Sequence, residues 1–110
     1  MMNNRYQNCI DACLRCAATC NNCAAACLKE EDVAMMARCI QLDMECAAMC
    51  YAAAQVMSIN GQYAAQLCKL CAQICKTCGD ECSKHEVQHC KDCAQACRSC
   101  AEACEAMAAM

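Results

Sequence analysis

The chain has no proline, phenylalanine or tryptophan, and only two glycines in 110 residues. Depleted of strand formers and turn formers, and rich in Ala, Cys, Met, Gln, Glu and Lys, it is suited to helices and poorly suited to a sheet. The expected fold class is all-α. Long runs of one charge are also missing. The formal net charge is −3, with acids and bases interspersed, so neither a basic stripe for nucleic acid nor a polybasic membrane patch is present. The one long uncharged segment, Cys46 to Cys68, is interrupted by Ser58, Asn60, Gly61 and Gln62 and makes a poor membrane span. No apolar leader and no twin arginine precedes Cys9, which predicts a cytoplasmic protein. A chain of 110 residues is expected to form one domain, spanning 1–110.

Against these absences stand 19 cysteines. The count is odd and the expected compartment reducing, so free thiols are favoured over a disulfide scaffold. Buried cysteine also packs as a small hydrophobe, but so many would leave a core with little bulk. Their spacing says more. They fall into four groups: Cys9, Cys13, Cys16, Cys20, Cys23 and Cys27; Cys39, Cys46 and Cys50; Cys68, Cys71, Cys75, Cys78 and Cys82; and Cys90, Cys93, Cys97, Cys100 and Cys104. Steps of three and four alternate within each group, the a/d seam of a helix facing a bundle axis, written in cysteine rather than leucine. The second group continues the same phase through Met36, Asp43, Ala53 and Met57.

Boundary signals lie between the groups. Acids in "CLKEED" suit the positive end of the second helix, and "SINGQ" offers Ser58 as an N-cap and a glycine before the third. "SKHE" matches a capping box, with Ser83 as N-cap and Glu86 in the third helical position. Helices are expected at roughly 4–28, 32–57, 61–82 and 84–107. Short connections make neighbours antiparallel, giving an up-down-up-down four-helix bundle with a cysteine-lined core. Ile40, Leu42, Met44, Met49 and Tyr51 fall off the inner stripe, and a second apolar side predicts self-association.

Thiolates at i and i+4 have Cβ atoms about 5–6 Å apart, a gap that two metal–sulfur bonds of about 2.3 Å can bridge. All-sulfur coordination of low number suits a soft univalent ion, and Cu(I) is the natural choice. Zinc wants four ligands and leaves residual negative charge in a tetrathiolate site, which is expensive inside an apolar tube. With bridging thiolates and about one Cu(I) per cysteine the core stays close to neutral. Protonated cysteines are small and apolar, so the metal-free chain should stay helical, unlike zinc fingers.

The stretches "CIDACLRCAATCNNCAAAC", "CIQLDMECAAMC", "CKLCAQICKTCGDEC" and "CKDCAQACRSCAEAC" resemble the bacterial copper storage proteins over nearly the whole chain, and the lack of a signal peptide is similar to their cytosolic branch. The resemblance implies a four-helix bundle that assembles as a homotetramer and fills its core with Cu(I), bound mostly by cysteine, with histidines near one open end. Here those positions are the nineteen cysteines and His85 and His89. Low-molecular-weight thiols or a copper chaperone would be the exchange partners. Asp43 departs from the pattern, standing where cysteine would complete the second stripe, as an oxygen ligand or a salt-bridge member.

His85 to His89 reads HEVQH, the pattern that places two zinc-binding imidazoles and a general-base glutamate, here Glu86, on one helical turn. These are the only two histidines, so a hydrolase would need a carboxylate or thiol as third ligand and a cleft that a small bundle does not offer. Threading an antiparallel bundle puts Cys27, Met36, Cys39, Cys82, His85, His89 and Cys90 at one end and Met57 and Met107 at the other. The histidines would then serve an entrance for the ion, or stand solvated and bind nothing. Covalent haem lacks its C-x-x-C-H, a redox dithiol needs one C-x-x-C at a helix start rather than repeats along helix interiors, and ferredoxin runs end in Cys-Pro. The readings that stand are Cu(I) storage without catalysis, metallothionein-like buffering of zinc or cadmium, and a zinc hydrolase built on HEVQH.

Overall fold

The computed structural model describes residues 5–109, so the expected helix start at position 4 lies outside the described residues. It contains α1 (Gln7–Cys27), α2 (Ala37–Ser58), α3 (Ala64–Cys82) and α4 (Gln88–Ala108), with a 3₁₀ turn at Val33–Met36 leading into α2. α1 packs on α2 and α4, and α3 packs on the same two helices, which closes a square. Cys9 near the start of α1 meets Cys104 near the end of α4, and Cys39 at the start of α2 meets Cys82 at the end of α3. Neighbouring helices are therefore antiparallel, in a rod of 46 × 24 × 18 Å. Among the described residues, no helix is long and apolar enough to cross a membrane.

The seam is the core. Every cysteine is buried, as are Met36, Asp43, Ala53 and Met57 in the phase expected for α2. Beside the seam, Ala17, Ala47, Ala72, Ala94 and Ala101 are buried too. Such small flanks let the helices approach closely, so a side chain as short as cysteine can fill the space between them. Part of the apolar surface assigned to the outside of α2 belongs to this packing. Leu42 is buried and Ile40 and Met49 are partly buried against the core, while Met44 and Tyr51 remain exposed.

The helix ends show where local signals prevailed and where they did not. Asp32 caps the 3₁₀ turn, its carboxylate accepting from the Met35 amide at 3.3 Å, so an acid does stand at the positive end of the second helical run. Ser58 does not cap α3. It is the last residue of α2, and its hydroxyl donates to the Ala54 carbonyl. The α2–α3 turn is instead closed by Asn60 in the left-handed region, φ 56°, with the Gly61 amide donating to Val56 O and the Asn60 amide to Met57 O. This is a Schellman ending.

The capping box at Ser83 is not formed. Ser83 is the C-cap of α3 and its hydroxyl donates back to Asp80 O, while α4 begins only at Gln88, after Val87 in an extended conformation. Carrying α3 as far as Cys82 places that thiol in the seam and uses up the serine. His85 consequently lies in the connection, and HEVQH is not one turn of helix.

The Schellman turn also explains Gly61. A Cβ there would lie 2.8 Å from Val56 Cγ1 and 3.2 Å from Val56 O, closer than packed atoms tolerate. Gly61→Ala should destabilise the metal-free protein by about 1–2 kcal/mol, visible as a lower Tm in a thermal melt with helix content unchanged at 20 °C or so; an unchanged Tm would contradict this packing.

Candidate metal centre

All nineteen cysteines are free thiols, and none is more than 3% exposed. From Cys9 the sulfurs follow one another through Cys104, Cys13, Cys100, Cys50, Cys75, Cys46, Cys16, Cys97, Cys20 and Cys93 in steps of 3.6 to 4.0 Å. Cys71 joins from the side at Cys50, 3.7 Å away. Towards the other end Cys39 meets Cys82 at 3.5 Å, and Cys90 meets Cys23 and Cys27 at 3.8 and 4.0 Å. Four groups of four tile most of this column: Cys13, Cys71, Cys100 and Cys104; Cys16, Cys46, Cys50 and Cys75; Cys20, Cys78, Cys93 and Cys97; and Cys23, Cys27, Cys39 and Cys90. Within each group the sulfurs lie within 4.8 Å of one another.

The heptad spacing produces this directly. The i, i+4 pairs Cys16–Cys20, Cys23–Cys27, Cys71–Cys75 and Cys100–Cys104 each stand 3.9 Å apart. Two sulfurs at that separation, each bonded at about 2.3 Å, subtend about 115° at a shared ion, close to three-coordinate geometry. Small side-chain rotations would open the angle towards linear. At the open end, burial chiefly, then the charge of Cys39, pushes the Cys27 thiol up to about 11, and burial raises Cys90 as well. Such thiols hold their protons at neutral pH, and a bound cation must displace them.

Asp43 interrupts the sulfur with oxygen. Fully buried, its Oδ1 accepts from the thiols of Cys78, Cys93 and Cys82 at 3.1, 3.3 and 3.4 Å, and Oδ2 from Cys39 at 3.8 Å. No basic side chain meets it among the described residues, so the salt-bridge reading is corrected: the partners are thiols. Burial first, then the charges of Cys93 and Cys78, push its carboxyl up to about 10. It is a neutral acid in the metal-free core, positioned like a cysteine.

The histidines reach the same end by different routes. His89, in the first turn of α4, points Nδ1 at Cys23 Sγ, 3.4 Å away, and at Cys90 Sγ, 3.6 Å away, while its Nε2–H donates to Glu30 Oε2 at 2.8 Å. The carboxylate thereby turns the free lone pair of the imidazole towards the thiols. His85, in the α3–α4 connection, bonds through Nε2 to Glu81 Oε2 at 3.0 Å, and Glu81 also pairs with Arg38 and Lys84. The two imidazoles are thus held by carboxylates of different segments, and the zinc-helix register of HEVQH is absent. His85 and Met36 line an open cleft of about 340 Å³ whose rim carries Glu30, Glu31, Asp32 and Glu86. At the far end Met57 and Met107 are buried, as expected. The anchoring by Glu30 and Glu81 was missed in the sequence, where the only signal was carboxylates clustered near the gaps between cysteine groups.

The family model described as "Copper storage protein" matches residues 2–109. The Cu(I)-bound copper storage protein BsCsp3 is 44% identical, covers 94% of this chain and 99% of its own, and superimposes with a TM-score of 0.91. A cytosolic copper storage protein from Streptomyces lividans, solved with five coppers, is 44% identical over 96% of this chain and 92% of that one, with a TM-score of 0.92. Among curated proteins, the "uncharacterized cysteine-rich protein YhjQ" of Bacillus subtilis (strain 168) is 44% identical over 77% of this chain and 79% of its own length.

The protonation of Asp43 has a measurable sign. A carboxyl raised from 3.8 to about 10 on folding favours the native state most below pH 4, and that contribution is lost as pH climbs towards 10. In urea unfolding of the metal-free, reduced protein, stability should fall by about 1–4 kcal/mol between pH 5 and 8. Asp43→Asn should flatten that dependence, and a wild-type profile rising with pH would contradict the assignment.

Proposed function

Because the chain belongs to the copper storage protein family, we propose that it stores and sequesters many Cu(I) ions on the thiolates of its core, at about one ion per cysteine. The observation that carries this reading is the set of nineteen buried, unpaired thiols along the bundle axis, with Asp43 set among them. Each ion that enters displaces one thiol proton and leaves the local charge unchanged, whereas a divalent ion in a four-thiolate site leaves two negative charges behind. That balance favours Cu(I) over the zinc or cadmium buffering of a metallothionein.

The working unit is the whole chain, 1–110, as a single copper-binding domain, with the cysteines as ligands. His85 and His89 serve the entrance, where the mostly acidic rim of the cleft would draw a cation towards His85 and Met36. We read the protein as a cytosolic binding protein without catalysis; against the zinc-hydrolase reading stand the unformed HEVQH helix and Glu86, its candidate base, which is 97% exposed with Lys91 as a neighbour. Exposed Met44 and Tyr51 on α2 supply an apolar face on which four copies can assemble. Low-molecular-weight thiols or a copper chaperone would exchange the ion at the mouth.

Anaerobic titration with Cu(I) against a tight chromogenic chelator should saturate near 19 equivalents, with about one proton released per ion. Zinc run in parallel should saturate at no more than about a quarter of that number and release several protons per ion. Saturation by zinc with Cu(I) held no more tightly than by the chelator would reject the storage reading. Replacing both histidines with alanine should slow uptake and release about tenfold or more while leaving capacity within about one or two ions; unchanged kinetics would remove the entrance role.

A further inference from the structure

We infer that Met57 is a Cu(I) ligand, its thioether closing the far end of the column together with the thiols of Cys68, Cys9 and Cys104. This rests on the storage reading and names a donor at its terminal site. Cys68 Sγ lies 3.4 Å from Met57 Sδ, the same separation that relates Cys23 Sγ to His89 Nδ1 at the mouth. Cys9 and Cys104 stand 3.6 Å apart in the adjoining layer. Met57 is 0% exposed, so its sulfur meets the Cys68 thiol away from solvent.

The position follows from the chain direction. α2 runs from the mouth towards this end, and helical side chains lean back towards the N-terminus of their own helix. A long side chain on the last turn of α2 therefore points into the column, where its sulfur continues the line that Cys46 and Cys50 begin. The chemistry fits the place. An ion in the interior has thiolates above and below, but an ion in the final layer has them on one side only. A further thiolate there would add charge without an ion to balance it; a thioether is soft, neutral and has no proton to lose. His89 Nδ1 offers the equivalent neutral donor at the opposite end. On loading, the proton of Cys68 leaves to solvent and Met57 contributes a lone pair alone, so the site stays uncharged.

The test is a crystal structure of the fully Cu(I)-loaded wild-type protein with anomalous data at the copper edge, paired with Cu(I) titrations of Met57→Leu. Leucine matches methionine in bulk and keeps the end sealed. A copper peak within bonding reach of Sδ, about 2.3 Å on the metal–sulfur yardstick, together with at least a tenfold weaker last equivalent in Met57→Leu, supports the inference. Copper along the column with Sδ only in van der Waals contact, or identical titrations of the two proteins, overturns it and leaves storage intact. Wild-type protein that takes up no copper overturns both.

Discussion

A column of sulfur buried away from water tolerates charge only when every proton that leaves is replaced by one positive charge. Nineteen ionised thiols, most of them 3.5 to 4.0 Å from a neighbouring sulfur, would repel one another beyond anything a bundle of this size could offset. Nineteen neutral thiols, or nineteen thiolates with as many univalent ions, would not. The bundle is built around that equality. Helices satisfy their own backbone hydrogen bonds, so the lumen can be given over to side chains, and the alanine flanks draw the walls close enough for short side chains to meet.

The non-sulfur groups obey the same rule. Asp43 sits where a thiol would, and burial keeps it protonated in the metal-free core, so it behaves as one more neutral, ionisable rung. His89 turns one ring nitrogen to the thiols, and its outward nitrogen is bonded to Glu30 at the boundary with solvent, where a carboxylate stays hydrated. The full charges of the chain lie outside the column, as in the cluster of Arg38, Lys84 and His85 around Glu81.

Much of this was legible in the sequence because one periodicity encodes both the helix and the ligands. Alternating steps of three and four fix the inward face of each helix, and the same phase picked out Asp43 and Met57 where cysteine is missing. What the sequence concealed lies at the helix ends. Ser83 and Glu86 satisfy a capping pattern, yet α3 ends at Cys82 as expected, the serine serves as its C-cap, and α4 starts only at Gln88 rather than at 84. Local capping is worth about 1 kcal/mol, and a buried thiol layer outweighs it. The Glu30–His89 bond spans 59 positions of sequence, and no spacing rule reaches that far. The protonation of Asp43 was equally hidden, because it depends on three helices enclosing one carboxyl.

The closeness of the sulfurs has one more implication. A disulfide bond brings two sulfurs to about 2.05 Å, so pairs already in contact need little movement to be cross-linked once an oxidant removes two electrons and two protons. Metal occupies the lone pairs through which that reaction begins. The vacant vessel is therefore the perishable form, and its cargo doubles as its preservative.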